Sequence, residues 1–359
     1  MTNKLWFQSA VGIILTLIII RLFIEVKEIF EPLFIIAGTI FVPLLLSGVL
    51  FYLTRPILYF LMNRKFPKWS AILIIAMLIV SIFWLFYEMI GPAITEQVNT
   101  LVESAPEIME DIEGYVDFVM DQRERLPEAV EEQIESLTQE AGTWASGLGM
   151  GIMDIVTTLI SGIISIILVP FFLVYLLIDH KKFIPFISKF FSGERRVWIR
   201  KTLQDIDKTL KAFIQGQLIV SFLVGVMLLI GYLIIGLEYA LLLALVGMVM
   251  NVIPFIGPYI AVIPAMIIAL VQDPIMAVWV AVIMLVAQQI ESTFISPNVM
   301  GSVLDVHPLT VITVILAAGN IAGLWGILLA IPTYAVVKTI AQNIYERRQE
   351  IRNTATRNV

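Results

Sequence analysis

The residues able to do chemistry are few, and they sit in apolar surroundings. Glu291, in VAQQIESTFISP (286–297), is the acidic residue lying well inside an apolar helical run of the C-terminal half. Gln288 and Ser292 fall with it on adjacent turns of one helix face, so three polar groups form a stripe. A carboxyl group placed there can carry a proton or pair with a cation such as sodium; at the inner end of its helix it would instead simply meet water. Asn251, in NVIPFIGPYIAVIP (251–264), and Asn320, in GNIAGLWG (319–326), lie in apolar tracts beside helix breakers, Pro254 and Gly257 in the first and Gly323 in the second. Amide side chains beside unwound backbone suit an uncharged polar solute, and Gln217, Tyr259 and Trp325 are secondary candidates for the same task.

Other chemistries have no residues to run on. The chain has no cysteine, which excludes disulfides, thiolate metal sites and a cysteine nucleophile. His180 and His307 are far apart, and no HExxH pair, phosphate-binding loop or GxSxG elbow occurs. Proteolysis within the membrane would need two facing aspartates inside helices, whereas Asp154, Asp179, Asp273 and Asp305 sit at segment ends. No enzyme activity, cofactor, resident metal or nucleic-acid partner is expected. Asp305 and His307, just before Pro308, read as a turn or a cap for the next helix.

These residues must be held by a membrane scaffold. Of the 359 residues 59% are hydrophobic and 14% charged, with a mean hydropathy of +0.93, well outside the range of soluble domains. A spanning helix needs ~20 apolar residues. That length predicts helices near 5–24, 33–53, 70–90, 152–178, 213–236 and 274–296, with two longer apolar tracts at 239–271 and 309–338. The first run begins like a signal peptide but lacks a small-residue cleavage site, and reads as a transmembrane helix. The fold class is therefore an all-α polytopic membrane protein of about eight membrane segments.

Charge orients the chain. Lys4, the 55–68 loop, the 181–211 stretch and the tail from Lys338 hold 19 of the 23 basic residues, and all fall on one side if each helix before 239 crosses once. By the positive-inside rule that side, with both termini, is cytoplasmic. The organisation expected is an N-terminal three-helix region (1–90), an extracytoplasmic acidic segment (91–150), a fourth helix (151–178), a cytoplasmic basic linker (179–212), a transport core (213–338) and a basic tail (339–359). Apolar residues recur at helical spacing over 98–119 and again over 126–148, predicting two amphipathic outer helices whose acidic faces are solvated or draw cations to a pore mouth. The linker carries a basic amphipathic helix marked by Trp198, Leu203, Ile206 and Leu210, suited to an anionic leaflet.

The tract 239–271, drawn as one helix, would be roughly 50 Å long, against a hydrocarbon core of about 30 Å. Pro254 and Pro258 each remove a backbone donor in its middle and Gly257 frees the chain to reverse, so a re-entrant hairpin is expected. The tract 309–338 shares the design: Gly257 precedes Pro264, and Gly326 precedes Pro332, at nearly equal spacing. Two helix-plus-hairpin units then form an inverted repeat, with Asn251 and Asn320 facing each other across a site near the midplane. Eight plain crossings give the same parity. Paired breaks can also line a channel, while a scaffold has no need of them.

GQLIVSFLVGV (216–226), NVIPFIGPYIAVIPA (251–265), QQIESTFISPNVMG (288–301), HPLTVI (307–312) and GLWGILLAIPTYAVVK (323–338) together resemble the autoinducer-2 exporter family of bacterial permeases. The resemblance covers about 200 C-terminal residues closely and the rest in helix order. It implies an inner-membrane homo-oligomer, a pentamer being the candidate assembly, that works without ATP. It also implies one of two cargoes, autoinducer-2 or sodium and lithium exchanged for protons.

Overall fold

The computed structural model describes residues 5–25, 27–121, 163–301 and 306–357. The second outer amphipathic segment (126–148), the start of the fourth apolar segment, Asp154 and Asp305 lie outside the described residues. Among the described residues every element is a helix: α1 (Leu5–Glu25), α2 (Lys27–Asn63), α3 (Lys68–Asp121), α4 (Ile163–Ser188), α5 (Gly193–Ile235), α6 (Ala240–Met250), α7 (Gly257–Gln272), α8 (Pro274–Ile290), α9 (Ser296–Met300) and α10 (Pro308–Arg357). Five stretches of them, Glu31–Asn63, Lys68–Ile112, Gly193–Ile235, Pro274–Met300 and Pro308–Glu350, are long and apolar enough to cross a bilayer. The short apolar α6 and α7 are not.

Several helices outrun their apolar cores. The linker helix and the fifth spanning segment are one 43-residue helix, α5, with no proline between Gly193 and Ile235 to disturb it. The third spanning segment runs on into the first of the two expected amphipathic segments as the 54-residue α3. Its amphipathic face is used: Val98, Leu101, Ile108 and Ile112 are buried in one cluster with residues of α5, α6, α7 and α8. The Gln97 side-chain oxygen also accepts the backbone N–H of Leu242, at 2.9 Å, and so caps the first turn of α6.

A second cluster joins α2, α3 and α4 through Phe51, Leu58, Ile72, Ile75, Leu173 and Leu177. Above it His180 is tied at both ring nitrogens. Nδ1 lies 3.1 Å from the Leu177 carbonyl, which can only accept, so Nδ1 carries the proton and Nε2 accepts the Tyr59 hydroxyl at 3.0 Å. Lys68 donates to the Ile178 carbonyl beside it. Burial first, and then the Arg55, Lys68 and Lys181 charges, hold the imidazole below its ordinary pKa. The neutral ring therefore stabilises the fold in full above about pH 6.5, and that contribution is lost as the pH falls from there through the lowered value. The melting temperature should drop between about pH 7.5 and about pH 5.5 more steeply in the wild type than in His180→Gln; parallel profiles would show that His180 contributes nothing.

Candidate transport site

α6 and α7 form a hairpin whose mouth is closed by one side chain. Gln272 Nε2 donates to the Gly236 carbonyl at 3.0 Å, and Gln272 Oε1 accepts the Glu238 N–H at 2.9 Å. The chain thus leaves α5 and returns to α8 at the same level. At the tip, residues 251–256 turn through Ile253 N–H to Met250 O and Gly257 N–H to Ile253 O, with Phe255 left-handed at φ 67°. Gly257 is required sterically, since a Cβ there would lie 1.8 Å from the Met250 carbonyl oxygen.

The second tract reverses in the same manner. Helical geometry in α10 fails at Ala322 and at Gly323, which has φ 56°. A Cβ at Gly326 would lie 1.9 Å from the Ala318 carbonyl oxygen, the counterpart of the Gly257 contact. Val311 and Ile315 before the break pack in one cluster with Ala330 and Ile331 after it, which a straight helix would hold about 25 Å apart.

The two hairpins open at opposite ends. α8 and α9 run antiparallel to α5: Gly231 faces Ile283 and Gly216 faces Met300, each pair so close that a Cβ on the glycine would touch the other side chain. The first hairpin hangs from the Ile235 end and the second begins at Pro308, beyond the Met300 end. The helix after the second break runs back along α5, with Thr209 bonded to Thr339 at 3.2 Å and the Trp198 indole N–H donating to the Asn343 carbonyl at 3.2 Å. Ile253 and Ile256 of the first tip pack against this second hairpin and Phe213.

The predicted polar residues are sorted by this frame. Asn251 is 1% exposed at the first tip, where its backbone carbonyl accepts Gln217 Nε2 at 2.6 Å, roughly 27 Å along α5 from Ile235. The Asn251 side-chain Nδ2 has no hydrogen-bond partner among the described residues, nor does the hydroxyl of Ser221, buried one turn beyond Gln217. Buried donors left open are rare and costly, so each calls for a partner that the described residues do not supply. Ser221 was not singled out in the sequence; its spacing of four from Gln217 is the signal that puts it on the same face.

Pro254 is half-buried at the tip, while Tyr259 is exposed on α7. Asn320 is exposed and donates to the Leu316 carbonyl of its own helix at 3.0 Å, so no hydrogen bond joins it to Asn251. Trp325 packs edge-on against Phe41 of α2, with ring centres 6.3 Å apart.

Glu291 ends α8 and opens a π-helical turn, Glu291–Ile295, that leads into α9. It is half-buried and accepts Gln288 Nε2 at 3.0 Å. Ser292 does not join them, being exposed and donating to the Gln289 carbonyl at 3.3 Å. A π turn inserts one residue and rotates the face that follows, a device found often at functional sites. His307 caps α10, its Nδ1 accepting the Leu309 N–H at 3.2 Å.

Long apolar helices, interrupted by two hairpins entering from opposite ends, are the architecture of a multi-pass membrane transporter. The AI-2E family transporter profile matches residues 11–346, and the chain belongs to that family. It is 32% identical over 341 residues to the "Putative transport protein YueF" of Bacillus subtilis (strain 168), covering 92% of this chain and 91% of that one. YrrI of the same organism, described in the same words, is 27% identical over 353 residues, with 96% and 97% covered. MT0215 of Mycobacterium tuberculosis, described likewise, is 25% identical over 313 residues, with 84% and 82% covered.

Proposed function

We propose that the protein is a secondary transporter that exports a small, uncharged polar solute, such as the furanosyl signal autoinducer-2, across the bacterial inner membrane. The observation carrying this reading is the buried tip of the first hairpin, where Asn251 and Ser221 hold open hydrogen-bonding groups beside Gln217. These groups are neutral, so they match hydroxyl and carbonyl oxygens better than a bare ion. By the positive-inside rule, the basic residues around 55–68, 181–211 and 338–357 support a cytoplasmic side that carries them and both termini. The α6–α7 hairpin then enters from outside and the α10 hairpin from inside, and alternating access is a movement of one hairpin unit against the other. Assembly into a homo-oligomer, a pentamer in the simplest case, completes the proposal.

The test is efflux of autoinducer-2 from proteoliposomes. Asn251→Ala and Gln217→Ala are each expected to slow it about tenfold, the loss of one well-made hydrogen bond at ~1.4 kcal/mol. Asn320→Ala, which removes only a bond within its own helix, is expected to act less. Unchanged efflux in both of the first two variants would sink the reading.

A second reading rests on Glu291, which stands half-buried beside Gln288 at the π turn. In a sodium or lithium antiporter its carboxylate would exchange cation for proton. Glu291→Gln would then abolish cation flux driven by a pH gradient, whereas a solute exporter would keep its efflux.

A further inference from the structure

A cavity of about 520 Å³ lies between α2, α4 and α5, away from the hairpin tips. Its floor is apolar, formed by Phe51, Leu203 and Ile206 among others. Its mouth carries Leu44 and Phe183, both exposed, so the opening is greasy as well as charged. The charges are unbalanced. Arg55 is consumed by Asp207, whose two carboxylate oxygens accept its Nη1 at 2.9 and 2.8 Å. Lys181 and Arg200, also lining the cavity, form no ion pair among the described residues; Lys181 lies over the Tyr59 ring, 5.3 Å from its centre. His180 stands neutral in the wall. The balance is two positive charges over an apolar floor.

The wall also has a gap. At Gly48 of α2 nothing lies within 4 Å of where a side chain would begin. Leu44, Gly48, Phe51 and Arg55 all line the cavity, so it extends as a groove along α2 from the charged rim towards the apolar stretch of the helix. A soluble anion would use the rim and leave the groove empty; an acyl chain fits the groove and a phosphate fits the rim.

We propose that this cavity binds one anionic phospholipid, its phosphate held between Lys181 and Arg200 and an acyl chain lying along the groove at Gly48. A lipid seated there bridges α2 and α4 to the basic half of α5, which continues into the Gln217 site. The site is independent of which cargo the protein carries.

The experiment uses the full chain in uncharged detergent, with lipid retention read by native mass spectrometry. Phosphatidylglycerol should be retained in preference to phosphatidylcholine, and millimolar inorganic phosphate should not displace it. Lys181→Ala combined with Arg200→Ala should weaken phosphatidylglycerol roughly thirtyfold, a factor of about five for each basic residue. Gly48→Leu, which adds bulk without altering charge, should weaken it independently. Lys189→Ala combined with Arg195→Ala, a basic pair outside the cavity, should leave retention near the wild-type level. Equal retention of phosphatidylcholine would overturn the proposal, as would displacement by phosphate or an equal loss in the Lys189/Arg195 variant. Retention unchanged by Gly48→Leu would overturn the placement of the chain.

Discussion

Gly257→Ala is expected to abolish transport and to lower the melting temperature, although it adds a single methyl group. The added Cβ would lie 1.8 Å from the Met250 carbonyl oxygen and 2.6 Å from its carbon, both well inside contact distance. Backbone cannot swing aside as a flexible side chain can, so α6 and α7 must separate at the tip. Overpacking of this kind costs roughly 1–3 kcal/mol when side chains give way, and the upper end applies where they cannot. Separation also withdraws the Asn251 carbonyl from Gln217, and so disrupts the proposed solute site directly. Gly326→Ala should reproduce the effect at the second reversal, 1.9 Å from the Ala318 carbonyl. Gly38→Ala is the control: it is helical with nothing within 4 Å, and alanine is the better helix former by about 1 kcal/mol. Efflux and melting temperature unchanged in Gly257→Ala would show that the close approach at the tip is not needed.

The reversals themselves were legible because a length and a breaker suffice to predict them. An apolar run too long for one crossing, with Pro254, Gly257 and Pro258 in its middle, has few solutions in a bilayer. The partner that closes the first hairpin's mouth is not legible, since the bonding of Gln272 to Gly236 and Glu238 depends on where the hairpin returns. The helices are longer than their apolar spans. A window sized to the hydrocarbon core ends where polarity begins, while α3 and α5 continue because their amphipathic extensions find partners. The site divides likewise. Gln217 and Asn251 stood out as polar residues in apolar runs, but Ser221 is small and common in membrane helices. The π turn at Glu291 leaves no mark in composition. Symmetry of the breaks suggests equal roles for Asn251 and Asn320, yet Asn251 is buried while Asn320 is exposed and bonded within its own helix.

Asp207→Ala is expected to weaken the joint between the N-terminal helices and the transport core. Arg55 and Asp207 are 152 residues apart in sequence and meet at 2.8 Å, with side chains 18% and 30% exposed. The Tyr52 hydroxyl donates to the same carboxylate at 3.2 Å, and Gln215 of α5 donates to the Tyr52 carbonyl at 2.5 Å. Removing the carboxylate leaves Arg55 stacked on Phe51 and Tyr59, 5.6 and 5.8 Å from the ring centres, without the one ion-pair partner it has among the described residues. A fully buried pair broken in this way costs about 3–5 kcal/mol; partial exposure lets water screen the orphan, and about 2 kcal/mol is expected here. Replacing both partners, Arg55→Met with Asp207→Leu, removes the orphan as well as the bond, so the double variant should be more stable than Asp207→Ala alone. Thermal unfolding in detergent measures both. Loss additive in the double variant would mean that the pair acts as two separate surface charges, and the fastening of α2 to α5 would then rest on Tyr52, Gln215 and apolar packing.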